Sequence, residues 1–128
     1  MKPVMQTRTG VRGNCLSACF ASLLGVSIEK VDFSCGDYTD GNWYDVACEK
    51  LRPFGLTLVL VDLRPEITIP AELYVIANGP SPRGHRHAVI YRGDELAHDP
   101  HPDGGGILSI EYLSFLLPLH LEVPCVPS

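Results

Sequence analysis

Apolar side chains at Leu16, Cys19, Phe20, Leu23 and Leu24 recur at the i, i+3, i+4, i+7, i+8 spacing of a helix with one core-facing stripe. Gly25 supplies a stop, so the pattern predicts a helix from about Asn14 to Leu24, capped by the Asn14 side chain and carrying Cys15 in its first turn. Ser27 predicts the cap of a short helical turn reaching Val31, and the polar stretch from Phe33 to Asn42 predicts a loop. Trp43, Val46, Ala47 and Leu51 give the inward face of a second helix that Pro53 and Gly55 end.

Beyond Gly55 the pattern shortens. Leu56 to Leu63 and Glu72 to Asn78 are rich in β-formers and predict strands, separated by the connection from Pro65 to Pro70. Gly79 to Gly84 predicts a loop; His87 to Arg92 and Leu96 to Asp99 predict a hairpin turning at Gly93-Asp94-Glu95. Pro102 to Gly106 reads as a flexible loop, Ser109 as the cap of a last helix over Ile110 to Leu117, and Leu119 to Val123 as a closing strand. Helices followed by a mainly antiparallel sheet predict an α+β fold in which the N-terminal helix carrying Cys15 packs on the sheet. No repeat or linker interrupts the chain, so residues 1–128 are expected to form a single domain.

Composition narrows the function. The net charge of −5 and the lack of any Lys/Arg-rich run argue against nucleic-acid or anionic-membrane partners held by electrostatics. No stretch approaches the ~20 apolar residues of a membrane span, and no apolar run follows the N-terminal charges, so a cytoplasmic location is expected. The five cysteines are irregularly spaced and odd in number, which predicts free thiols rather than a disulfide framework.

One of those thiols sits where chemistry is favoured. At the start of a helix, unpaired backbone N–H groups and the macrodipole stabilise a thiolate at Cys15. Thiol catalysis also needs a base, a group that orients the base and donors for an oxyanion. His87 opens one hairpin strand and Asp99 closes the other, so the two are expected to meet near the open end of the hairpin. His87 is then the base and Asp99 its orienting acid, with His85, two residues earlier, the competing base. The Gln6 side-chain amide would donate to the oxyanion beside the Cys15 N–H.

Gln6, Cys15 at a helix start, the string HAVIY from His87 and Asp99-Pro100 at the end of the next strand form an ordered set that resembles the papain-like cysteine peptidase superfamily. The nearest likeness is to small bacterial forms, the double-glycine leader peptidases and the transglutaminase-like cysteine proteinases. The strings GNCLSACFASLLG and HDPHPDGGG also resemble small phage and prophage proteins. The resemblance implies a papain-like fold and a hydrolase with Cys15 as nucleophile, His87 as base, Asp99 as acid and Gln6 in the oxyanion hole. It implies a protein or peptide substrate and no cofactor.

Asn14, His85, His98 and His101 are expected to meet that substrate. Prolines on both sides of His101 hold the run from His98 to Asp103 extended, and its ligand spacing is not that of a zinc site, so it predicts a rim loop rather than a metal site. Two other functions share these residues: a binding or inhibitory protein of phage type with an idle triad, and a transglutaminase or deamidase that passes through the same thioester. The sequence leaves the oligomeric state open.

Overall fold

The computed structural model describes residues 1–120 apart from 37 and 40. Among them are two α-helices, α1 (Cys15–Leu24) and α2 (Trp43–Leu51), followed by strands β1 (Leu56–Asp62), β2 (Tyr74–Pro80), β3 (Arg86–Arg92), β4 (Glu95–His98) and β5 (Tyr112–Pro118). The strands form one antiparallel sheet in the order β1-β5-β2-β3-β4, so the class is α+β.

Alternation in the strands divides the apolar residues between the two faces of the sheet. Leu58, Ile76, Ala88 and Ile90 pack with α1, α2 and the short 3-10 turn Ile28–Val31. Val75, Ala77, Val89 and Leu113 face the other way, under Ile67, Ile69, Ile107 and Ile110 from the connections.

The helix α1 is enclosed on all sides rather than on one stripe, since every residue from Cys15 to Ser22 is buried. Its polar flank is covered by chain. The Ser17 hydroxyl bonds the Phe33 backbone on both sides, donating to the carbonyl and accepting from the N–H at 3.0 Å each. Ser22 accepts the Val4 N–H at 2.8 Å and donates to the Ala18 carbonyl at 2.7 Å.

Three expectations about elements need correction. The helix over Ile110 to Leu117 is strand β5, paired with β1 from Leu56↔Pro118 to Asp62↔Tyr112 and with β2 from Ile76↔Ser114 to Asn78↔Tyr112. Leu113 and Phe115 pack on one face of the sheet and Leu116 on the other, so the strand lacks the polar-apolar alternation of a half-buried strand and its apolar run imitates a helix.

Strand β2 also runs on through Gly79 and Pro80, where a loop was expected. The backbone of residues 108–111 packs on that end: Leu108 N–H donates to the Pro80 carbonyl at 2.7 Å and Glu111 N–H to the Asn78 carbonyl at 2.8 Å. A Cβ on residue 79 would lie 1.9 Å from the Ser109 carbonyl oxygen, so glycine is required there by this close approach. Finally, neither Asn14 nor Ser27 makes a side-chain cap bond, although each stands at an N-cap position. Of the expected closing strand, only Leu119 and His120 fall among the described residues, in a bend; Cys125 lies outside them. The described helices include none long and apolar enough to cross a membrane.

Candidate active site

The N-terminus of α1 is built by a side chain that faces backward instead of capping. Asn14 is 1% exposed and spends all its polar atoms on its surroundings. Its Oδ1 accepts the N–H groups of Thr7 and Arg8 at 2.9 and 3.0 Å, and its Nδ2 donates to Thr7 Oγ1 at 2.8 Å and Asp32 Oδ1 at 3.0 Å. Asn14 is thus a brace for the segment ahead of the helix, and no polar atom of it is left over for the expected contact with substrate.

Gly13 lets that segment fold tightly. A Cβ there would stand 2.9 Å from the Gly10 carbonyl oxygen and 3.3 Å from that of Arg8. The result brings Gln6, Thr9, Gly10 and Gly13 to one wall of a cleft that also holds Cys15.

Opposite stands the start of β3. His87 Nε2 and Asp99 Oδ1 are 2.6 Å apart, with the side chains 3% and 5% exposed. Asp99 follows directly on β4, whose ladder with β3 carries a register shift at Ile90/Tyr91. Its carboxylate takes three donors: Oδ1 also accepts the His101 N–H at 2.9 Å, and Oδ2 accepts the Gly106 N–H at 2.7 Å. Burial works against the charged carboxylate, but the bonds from His87, His101 and Gly106 outweigh it and hold the pKa down to about 2. Burial likewise opposes a charged imidazole, yet the bonded Asp99 carboxylate, with a smaller effect from the Cys15 sulfur, carries His87 up to about 9. With Nε2 committed to Asp99, Nδ1 is the ring atom left for the sulfur.

The other candidate residues divide. Gln6 lines the cleft and is 8% exposed; its Nε2 donates to the Arg8 carbonyl at 2.8 Å, while its buried Oε1 has no partner among the described residues. His85 and His101 line the cleft as well, and the His101 ring stands edge-on to His87 with centroids 6.0 Å apart. His98 does not line it. Its Nε2 contacts the Val4 carbonyl at 2.8 Å and ties the N-terminal segment to the end of β4.

The glycine-rich loop expected to be flexible is tied down by hydrogen bonds. Gly105 N–H donates to Asp103 Oδ1 at 3.2 Å, Gly106 N–H to Asp99, and Arg83 pairs with Asp103 at 2.8 Å. Among the described residues no group of three or more His, Cys, Asp and Glu side chains is arranged to hold a metal ion.

Several residues of the cleft have no counterpart among the sequence candidates, Tyr38 and Cys35 among them. Tyr38 places its hydroxyl 3.9 Å from Cys15 Sγ and 3.5 Å from Asn78 Oδ1. Cys35 shares the same wall. Both lie in a loop without periodicity, so no sequence signal pointed to them; their proximity to Cys15 arises only in the fold. Comparison with protein-family models, with curated proteins and with solved structures returned no match.

Proposed function

We propose that this chain is a cysteine-dependent hydrolase of amide or isopeptide bonds, papain-like in its arrangement, working through a thioester on Cys15. The observation that carries this reading is the buried 2.6 Å pair of the His87 imidazole and the Asp99 carboxylate, with His87 and Cys15 lining the same cleft. A merely structural cysteine has no need of an imidazole that is itself oriented by a buried carboxylate.

In the proposed cycle His87 takes the proton of the Cys15 thiol and holds it as the imidazolium. The sulfur adds to the substrate carbonyl carbon, and the carbonyl π pair moves onto oxygen. Collapse of that adduct expels the amine, which takes the proton from His87, and leaves the acyl group on sulfur. Neutral His87 then removes a proton from water, whose oxygen attacks the thioester; the acid departs and the sulfur regains its starting state. Throughout, Asp99 fixes the ring tautomer and balances the imidazolium.

Two measurements on the folded protein test this. Iodoacetamide labelling, mapped by mass spectrometry, should modify Cys15 at least about 10-fold faster than Cys35 or Cys48, as expected of a thiol with a base beside it. Release of p-nitrophenol from p-nitrophenyl acetate should vanish in Cys15→Ala and His87→Ala. Labelling at Cys15 no faster than at the other thiols, or ester cleavage that survives both substitutions, overturns the reading.

A further inference from the structure

An oxyanion needs at least two donors aimed at it, and the first turn of α1 contributes the Cys15 N–H. The side chain expected as the second, Gln6, already gives one N–H to the Arg8 carbonyl at 2.8 Å. Tyr38 offers another. Its hydroxyl stands 3.9 Å from Cys15 Sγ, and an oxygen two bonds from that sulfur on the Tyr38 side falls within hydrogen-bond reach of it.

The phenol is held for such a role. Tyr38 is the one non-glycine residue with positive φ among the described residues, at 64°, a conformation that bulky side chains adopt only when their surroundings impose it. Its ring meets Trp43 edge-on with centroids 5.0 Å apart, which fixes its direction. At rest the hydroxyl donates to Asn78 Oδ1 over a long 3.5 Å. Asn78 cannot turn away, because its Nδ2 donates to Ser114 Oγ at 2.8 Å. The hydroxyl therefore has a fixed but weak acceptor, easily exchanged for a stronger one. Burial also pushes the Tyr38 phenol well above its ordinary range, so it stays a donor at every working pH.

We propose that the Tyr38 hydroxyl donates a hydrogen bond to the oxyanion formed when Cys15 Sγ adds to a carbonyl carbon, an assignment that rests on the hydrolase reading above. No proton is transferred: the S–C bond forms, the π pair becomes the oxyanion lone pair, and the Tyr38 O–H moves from Asn78 to that oxygen. The bond is made only in the adduct and its transition state, so it accelerates acylation without tightening the ground state.

Two electrophiles separate this role from a packing role. Acylation by p-nitrophenyl acetate passes through an oxyanion, whereas alkylation by iodoacetamide displaces iodide at saturated carbon and forms none. Tyr38→Phe keeps the ring and should slow acylation of Cys15 by about 10²-fold, the usual effect of removing one such donor, while alkylation keeps the wild-type rate. Equal losses in both reactions would reduce Tyr38 to a wall residue, and an unchanged acylation rate would remove it from the chemistry; either overturns the proposal. A wild-type protein in which Cys15 resists acylation altogether fails the hydrolase reading first and takes the Tyr38 assignment with it.

Discussion

His87 and Asp99 meet across the open end of the β3–β4 hairpin, Nε2 to Oδ1 at 2.6 Å, and neither side chain is more than 5% exposed. A contact this short and this dry ties the protonation of the ring to the position of the loop that follows β4, because the same carboxylate receives the N–H groups of His101 and Gly106.

Replacing Asp99 by Asn therefore acts twice. An amide group in place of one carboxylate oxygen sets N–H against N–H at His87 or Gly106, and the ring loses the negative charge that fixes its tautomer. Ester cleavage through Cys15 should fall by about 10²–10⁴-fold. Urea unfolding should also report about 1–3 kcal/mol of lost stability, the effect of stranding a buried donor. A variant with full activity and an unchanged urea midpoint contradicts the arrangement.

Stability should follow pH in a direction the two groups dictate. The folded imidazole keeps its proton to about 9 against 6.5 for the free group, so its contribution is fully present below 6.5 and is lost as the pH rises through 9. The Asp99 carboxyl, at about 2 against 3.8, contributes fully above 3.8 and loses that contribution as the pH falls through 2. The urea midpoint should be highest between 3.8 and 6.5 and decline toward 9. In His87→Gln the alkaline decline attributable to the ring should disappear; a decline of the same size in both proteins assigns it to other groups.

Asn14→Ala removes four hydrogen bonds at a site that is 1% exposed and leaves the Thr7 and Arg8 N–H groups without their acceptor. The expected loss is about 2–4 kcal/mol in urea. Because those bonds brace the wall that contains Gln6 and Gly13, iodoacetamide labelling of Cys15 should also lose its advantage over Cys48. Retention of both stability and selectivity would show that the wall stands without Asn14.

Gly79→Ala should be among the most damaging substitutions in the sheet, since the new methyl would stand 1.9 Å from a backbone oxygen of Ser109. Backbone that also bonds Pro80 and Asn78 cannot retreat freely. Thermal melting should register a loss of about 3 kcal/mol. A neutral outcome means that residues 108–111 are held less firmly than their hydrogen bonds suggest.

The parts of this molecule written in the sequence are those with local causes. Gly25 and the Leu16–Leu24 spacing mark α1, Pro53 and Gly55 mark the end of α2, and the turn at Gly93 marks the β3–β4 hairpin, where φ is 61°. The three residues of the proposed relay were legible because each sits at an element boundary with a distinctive neighbour. Strand β5 was not, because apolar side chains on both of its faces erase alternation. Asn14 misled for a similar reason: its type and position suit a cap, but Thr7, Arg8 and Asp32 compete for the same atoms and win. Tyr38 reaches Asn78 across 40 residues of chain, a pairing no local pattern encodes.

The strand order carries a consequence for biosynthesis. β5, made after the other four described strands, is the piece that joins β1 to the β2–β3–β4 group. Until Pro118 has cleared the exit tunnel, the nascent chain carries two unjoined halves of a sheet, each with an unsatisfied edge open to wrong partners. Translation speed while β5 is being made, and any holdase that shields β1 meanwhile, should thus govern the yield of folded protein more strongly than events at the helices made earlier.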